Sequence, residues 1–230
     1  MKHFACLLLF CAAASPQVAD KANQGYKTPE GRASVGRTLA DPHRDERQKP
    51  REIIDAMGLQ PGMSVADVGT GIGYMLPYLS HAVQSAGRVI AEDIFPDFLD
   101  QARVKAKAQG LTNVKFVLGT DRDPNLPADT LEAVLVLETY HHFDYPEAML
   151  AHIRDSLLSD GKLTIVDYYK RPDAMPGGRA MEHIRLDEDD VIHEVESNGF
   201  KLLSKQELTP KSQYIAIFTK TKTRETEPRP

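Results

Sequence analysis

The segment from Val65 to Leu76, VADVGTGIGYML, decides the fold class of this chain of 230 residues. An apolar run leads into three glycines at alternating positions, Gly69, Gly71 and Gly73, and a helix-like run follows them. Glycine in a turn between a strand and a helix lets the backbone approach a ligand closely, because no Cβ intervenes. Ligands of open parallel sheets bind beyond the carboxyl ends of the strands. The segment therefore predicts a ligand-binding turn after the first strand of such a sheet.

Short apolar runs alternate with helix-like patterns from this segment as far as residue 166. The runs are apolar at nearly every position, which indicates strands of a parallel sheet with helices on both faces. Two further strand-like runs, residues 200–208 and 212–220, flank a Thr-Pro-Lys turn and predict a closing hairpin with an antiparallel strand. The sequence therefore predicts a Rossmann-like, doubly wound α/β fold with a mostly parallel, seven-stranded sheet. The first five strands are predicted at Val65–Val68, Arg88–Ala91, Val114–Leu118, Ala133–Leu137 and Lys162–Val166.

Helices are predicted where apolar residues recur with the helical period. Pro50 suits the first position of one helix, and Gly58 suits its end. Gly161 suits the end of a later helix, and Asp187 can N-cap the last one. The other predicted helices are Gly73–Ser85, Pro96–Gln109, Tyr145–Ser159 and a helix that runs from Asp187 to Asn198.

Residues 169–186 show no periodicity, and an irregular segment of this length in a compact domain is typically a functional lid or disordered. We predict that it is a lid over the substrate, with His183 and Arg185 in contact with an anionic acceptor. The alternative is a solvated loop on which these two side chains are ordinary surface charges.

The N-terminal residues 1–14 predict a cleaved export signal. An apolar stretch too short to span a bilayer follows Lys2, and small residues at positions 12 and 14 form an A-x-A cleavage site. Both cysteines, Cys6 and Cys11, lie in this stretch, so a cleaved protein would have no cysteine for a disulfide, a thiolate metal site or a nucleophile. The prediction is a periplasmic or secreted protein. The alternatives are a short N-terminal anchor and a misassigned start codon, and the protein is cytoplasmic if the signal is misread.

Composition indicates the limits of the domain, and net charge indicates which classes of partner are excluded. Residues 15–49 are polar and predict a leader that passes into an N-terminal cap, residues 50–220 form the main domain, and residues 221–230 predict a disordered tail. The net charge of −5 and the lack of a long basic run argue against a nucleic-acid or anionic membrane surface. We therefore expect a protein that acts on small molecules or on other proteins, with no nucleic-acid partner and no membrane contact after signal cleavage. The oligomeric state stays open.

The spacing of the glycines separates two kinds of cofactor. A dinucleotide fingerprint needs a third glycine where this chain has Tyr74, and a bulky side chain there opposes close helix–strand packing. The D-x-G-x-G-x-G arrangement of Asp67, Gly69, Gly71 and Gly73 instead resembles motif I of the class I S-adenosylmethionine-dependent methyltransferases. The resemblance implies S-adenosyl-L-methionine as the cofactor.

Two later segments extend the resemblance on the cofactor side. Asp93, after the second strand, matches the acid that takes both ribose hydroxyls in this family, and Glu92 is the alternative if the register differs by one residue. After the third strand, Asp121 or Thr120 occupies the position whose polar side chain meets the adenine amino group, and Asp121 is preferred. A turn-forming aspartate is the competing interpretation.

The segment after the fourth strand, LETYHHFDYPEAML, resembles the family region that faces cofactor and substrate. The resemblance places Glu138 on the cofactor, and Tyr140 with His141 or His142 beside the substrate. Neighbouring histidines on an extended chain point in opposite directions, so we expect one of them to pack structurally. A metal site that includes Asp144 is a competing interpretation, but no complementary ligand spacing supports it, so no metal is predicted.

The resemblance covers residues 50–220 and, in the segments DERQKP, GTDRDPNLPA, YHHFDYPEAM and QYIAIF, is similar to a bacterial, signal-bearing subgroup acting on small molecules. It implies transfer of a methyl group to an unidentified small-molecule acceptor. Candidates for a general base are His141, His142, Tyr140 and His183. The alternatives are an NAD(P)-dependent oxidoreductase and a non-catalytic S-adenosylmethionine-binding sensor.

Overall fold

The computed structural model of the protein describes residues 17–221. The predicted export signal with both cysteines, and the predicted tail beyond residue 221, lie outside the described residues. No helix within residues 17–221 has the length and apolar character that crossing a bilayer requires.

Seven strands form one sheet in the order β3-β2-β1-β4-β5-β7-β6. The pairs from β3 to β5 are parallel, whereas β7 runs antiparallel to both β5 and β6. The predicted fold class is therefore confirmed. Because the strand order reverses between β1 and β4, the turn after β1 lies at the switch point where such sheets bind ligands. The strands are β1 Ser64–Val68, β2 Arg88–Asp93, β3 Val114–Leu118, β4 Leu131–Leu137, β5 Leu157–Tyr168, β6 Phe200–Thr209 and β7 Gln213–Lys220.

Eight helices accompany the sheet within the described residues. The faces of the sheet bury two apolar clusters: α3 and α4 pack on one face, and α6 and α8 on the other. The helices are α1 Pro29–Leu39, α2 Arg44–Gln48, α3 Pro50–Met57, α4 Leu76–Val83, α5 Pro96–Ala108, α6 Pro146–Ser156, α7 Ala180–His183 and α8 Glu188–Ser197.

Most predicted elements agree with the structure to within a few residues, and α6 is the clearest correction. It ends at Ser156, and β5 begins at the next residue. Gly161, predicted to end the helix, lies in β5 instead, where a Cβ would come within 2.8 Å of the Leu131 carbonyl oxygen of β4. Glycine is needed there for close strand approach rather than for a helix end. At α8, Asp187 stands at the N-cap, but its carboxylate accepts a hydrogen bond from the backbone N–H of Lys170.

Residues 17–49, here called the cap, fold over the carboxyl end of the sheet. They contain a short 3-10 helix, Ala22–Tyr26, followed by α1 and α2, none of which was predicted as a helix. The Tyr26 ring stacks on Phe95 at a centroid distance of 5.7 Å, and Arg32 forms an ion pair with Asp97 at 2.8 Å. The cap is thus held against the start of α5 by aromatic and polar contacts.

Candidate active site

The glycine turn after β1 is shaped by backbone angles that other residues rarely adopt. Gly69, Gly71 and Gly73 all have positive φ, at +73°, +55° and +81°. A Cβ at Gly69 would collide with the side chain of Thr139, and one at Gly73 would lie 3.1 Å from the Cβ of Ala102. Gly71 is the least crowded of the three. Two of the glycines therefore allow close packing, and Gly71 presents bare backbone to the space beneath the cap.

Three buried carboxylates surround this turn. Asp93 accepts hydrogen bonds from the backbone N–H groups of Gly71 at 2.8 Å and Phe95 at 2.9 Å, and Asp67 accepts one from the Thr70 hydroxyl at 2.7 Å. Glu92 accepts one from the N–H of Gly69. Burial raises the pKa of Asp67 and of Asp93 to about 6, and holds the pKa of Glu92 well above its ordinary value. A cationic ligand at the turn would favour their ionised forms.

The turn and the carboxylates line one cavity of about 920 Å³. Asp121 and Thr120, the predicted adenine contacts, both line it with exposed side chains. Glu138 lines it too, but its carboxylate already accepts hydrogen bonds from Arg44 at 3.1 Å and Gln213 at 2.6 Å. Thr120, Asp121 and Glu138 therefore all line the cavity. Glu138 also links the cap to β7 through its two hydrogen bonds.

The segment after β4 is a 3-10 turn, Tyr140–His142, and not an extended chain. The rings of His141 and His142 therefore lie 4.1 Å apart, and both line the cavity. The expectation that one of them packs structurally was wrong, because a helical turn places neighbouring side chains closer in direction than a strand does. Tyr140 does not line the cavity: its ring is in the core, and its hydroxyl donates to Glu194 of α8 at 2.6 Å. The structure thus separates Tyr140 from its predicted place beside the substrate.

Each of these two histidines is oriented by a hydrogen bond. His141 Nδ1 lies 2.7 Å from the carboxylate of Asp167, the last residue but one of β5, and His142 Nδ1 lies 2.8 Å from Asn23 Oδ1 of the cap. Burial holds the pKa of His142 well below its ordinary value, with the nearby rings of His141 and His183 adding to the effect.

The segment 169–186 contributes one side chain to this cluster. His183, at the end of α7, has its ring centroid 5.0 Å from that of His141 and lines the cavity. Burial lowers the pKa of His183 to about 4. Arg185, by contrast, pairs with Glu194 at 2.8 Å and does not line the cavity, whereas Arg179 does. The predicted lid is therefore part of the cavity wall, and Arg179 lines the cavity in place of the predicted Arg185.

Sequence reasoning missed Asp167, Asn23 and Tyr26 as members of the site. An acid directly after the β5 strand pattern was a usable signal for Asp167, since carboxyl ends of neighbouring parallel strands meet at one edge. Asn23 and Tyr26 carry no comparable signal, because only docking of the cap brings them to the cavity.

Residues 65–161 match a family model described as a methyltransferase domain. The chain is 28% identical over 120 residues to protein-L-isoaspartate O-methyltransferase of Ignicoccus hospitalis, covering 52% of this chain and 54% of that protein. It is 29% identical over 128 residues to aklanonic acid methyltransferase DauC of Streptomyces sp. strain C5, covering 55% and 57%. The chain thus spans about half the length of these relatives.

A solved structure supports the same assignment over more of the chain. The crystal structure of a SAM-dependent methyltransferase from Aquifex aeolicus has a TM-score of 0.75 at 28% identity, and covers 82% of this chain and 98% of that one.

The residues around the turn fit S-adenosylmethionine, whose sulfur and amino group are cationic. The Oε1 atom of Glu92 is buried and has no hydrogen-bond partner among residues 17–221, and the ribose hydroxyls are donors that could satisfy it. The oxygens of Asp93 keep lone pairs for the same hydroxyls. Together with the seven-stranded sheet and the glycine turn, these matches support a class I S-adenosylmethionine-dependent methyltransferase domain in this chain.

Proposed function

We propose that the protein transfers a methyl group from S-adenosylmethionine to a small-molecule acceptor held against His141, His142 and His183. One observation carries the proposal: the three histidines line the same cavity as the glycine turn and its carboxylates. The site therefore has a cofactor side and, next to it, a side with three imidazole rings.

The cofactor side rests on Asp67, Glu92 and Asp93. When bound, S-adenosylmethionine supplies a methyl group on a cationic sulfur, which is already activated for attack. Asp93 and Glu92 would accept hydrogen bonds from the ribose hydroxyls, and Asp67 would favour positive charge near the turn. The protein then contributes mainly alignment of the acceptor and exclusion of water.

The cap supports a small acceptor. Tyr26 and Leu39 of the cap line the cavity together with the ends of the strands, so the site lies beneath a covering segment. Of the two sequence relatives named above, one is a protein O-methyltransferase and the other an aklanonic acid methyltransferase. A covered cavity of about 920 Å³ favours a small molecule over a loop of a folded protein.

Calorimetric titration of S-adenosylmethionine into wild type and Asp93→Ala tests the cofactor side. Loss of hydrogen bonds to a charged group costs about 1.5–3 kcal/mol, so we expect roughly ten- to hundred-fold weaker binding. Asp100→Ala is the matched control, because Asp100 is an exposed acid of α5 outside the cavity. Unchanged affinity in Asp93→Ala, with its fold verified by circular dichroism, would contradict the assignment.

Incubation of the wild type with labelled S-adenosylmethionine and a pool of small metabolites tests the transfer itself. Label in a small-molecule product supports the proposal. Cofactor binding without transfer to any acceptor would instead support the sensor alternative, and a thermal shift with NAD(P) in place of S-adenosylmethionine would support the oxidoreductase.

Export of the protein is a separate proposal that rests on residues 1–14 alone. N-terminal sequencing of protein purified from its native cells tests it: a mature chain that starts after residue 14 supports export, and an uncleaved N-terminus opposes it.

A further inference from the structure

We propose that His141, His142 and His183 form a zinc-binding site on the acceptor side of the cavity. One ring nitrogen from each residue lies within 4.8 Å of those of the other two. The centroid of the His183 ring is 5.0 Å from that of His141 and 5.3 Å from that of His142. Small side-chain rotations would bring three nitrogens of this cluster to the spacing that a tetrahedral zinc ion requires.

The hydrogen bond of His141 leaves one defined nitrogen free. An ionised carboxylate can only accept hydrogen bonds, so Asp167 fixes the proton of His141 on Nδ1, 2.7 Å away. The carboxylate is itself held by the backbone N–H groups of His141 and Tyr168. In the neutral ring Nε2 of His141 then carries the lone pair, which is the carboxylate–histidine arrangement that is common behind metal-bound imidazoles.

His142 is fixed in the same tautomer by a different residue. The amide nitrogen of Asn23 donates to the backbone oxygen of His142 at 3.0 Å, which orients the amide. Its Oδ1 must then accept from His142 Nδ1, 2.8 Å away, so the lone pair is again on Nε2. The hydroxyl of Tyr26 is 3.5 Å from this Nε2, which is too long for a strong hydrogen bond.

The three rings bring several potential nitrogen ligands close together in the cavity wall. Imidazole binds metals in its neutral form, and the hydrogen bonds that Nδ1 makes in His141 and His142 leave Nε2 of each neutral ring available to an ion. No hydrogen bond to Nε2 of His141 occurs among residues 17–221. A divalent cation would stabilise adjacent lone pairs that otherwise repel one another.

Three histidine ligands leave a fourth zinc position open toward the cavity, as in catalytic rather than structural zinc sites. This consequence rests on the proposed methyl transfer. An acceptor hydroxyl bound there would release its proton to solvent, because zinc lowers the pKa of its oxygen ligands. The oxygen would then form a bond to the methyl carbon, and the sulfur–carbon bond would break with its electron pair staying on sulfur, giving a methyl ether and the neutral thioether.

Titration of Zn²⁺ into the full chain, after dialysis against a chelator and without cofactor, tests the site. We expect one zinc ion per chain and, with Co²⁺ as a probe, the strong visible absorption of a four-coordinate ion. His183→Ala should abolish both signals, because it removes one of three ligands from a half-buried position that tolerates truncation. His193→Ala, an exposed histidine of α8 outside the cavity, should leave both unchanged.

Asn23→Ala tests the positioning role of the cap residue. Loss of an orienting partner typically weakens metal binding about 10- to 100-fold, whereas a merely structural role would leave zinc affinity unchanged.

Absence of stoichiometric zinc and cobalt binding by the wild type, or zinc binding that survives in His183→Ala, would overturn the proposal. Asp93→Ala should bind S-adenosylmethionine roughly ten- to hundred-fold more weakly and should bind zinc like the wild type, so the two proposals can fail independently.

Discussion

At Gly69 the backbone has a φ of +73°, and a Cβ there would collide with Thr139, the residue that follows β4 by two positions. Both conformation and space therefore require glycine. Gly58, which ends α3, has a similar φ of +64°, but a Cβ there would meet no side chain or backbone of another element within 4 Å. A comparison of alanine substitutions at these two glycines therefore separates the free-energy cost of backbone strain from that of a steric clash.

Gly69→Ala should consequently destabilise the protein more than Gly58→Ala. Left-handed backbone costs an L-residue about 1–2 kcal/mol, which is the loss expected at Gly58. Overpacking adds roughly 1–3 kcal/mol at Gly69. Chemical denaturation measures both, and Gly69→Ala combined with Thr139→Ala should recover part of the additional loss. Equal losses at the two sites would show that Thr139 does not restrict the turn.

Cofactor affinity should depend on pH through the same turn. Burial raises the pKa of Asp67 and Asp93 to about 6, so both are mainly protonated in the free protein below that pH. A cationic ligand binds the ionised forms better, hence affinity should be constant above about pH 7 and fall about ten-fold per group by about pH 5. Calorimetry across this range measures it, and Asp93→Ala should have a shallower profile than wild type.

Among the elements, those set by local patterns were predictable. β3 and α3 match their predicted bounds because Pro50 and Gly58 mark the ends of α3 and an apolar run defines β3. The glycine turn was found from its own sequence, whereas Asp93 and the histidine pair were found through the resemblance to a methyltransferase family. The pairing of Asp167 with His141 was not, since it depends on β5 lying beside β4 in the sheet.

Helix α1 of the cap should be less protected from hydrogen exchange than α8. Gly36 is its only buried residue, whereas α8 buries four residues, so α1 has little packing to resist local opening. We expect its amides to exchange with solvent faster than those of α8. S-adenosylhomocysteine should slow exchange in α1 and leave α8 unchanged, because α8 lies outside the cavity. Amide exchange rates in α1 that do not change when the ligand is added would contradict a role for the cap in enclosing the ligand.

In the molecule as a whole, the apolar core and the cavity draw on different parts of the chain. Both apolar clusters consist entirely of residues between Ile53 and Phe218. The cavity, in contrast, takes Tyr26, Leu39 and Arg44 from the cap. The cap thus completes the site without completing the core.

A chain truncated to residues 50–221 should therefore fold but bind the cofactor poorly. We expect cooperative unfolding and a native circular dichroism spectrum, since both clusters remain. Cofactor affinity should fall at least about ten-fold, equivalent to roughly 1.4 kcal/mol, because the enclosing wall is gone. A chain that starts at residue 17 is the matched control and should bind like the full chain. Full affinity in the shorter chain would show that the cap is dispensable for binding.

The wide sequence separation of the cap contacts has a consequence for biosynthesis. Arg32, Arg44 and Asn23 meet partners that are 65, 94 and 119 positions later in the chain. The cap precedes these partners in the chain, so it cannot dock completely until β4 and the following turn have been synthesised. A nascent or unfolded polypeptide has no enclosed nucleoside pocket. The protein can therefore bind its methyl donor only in the compartment where folding is completed.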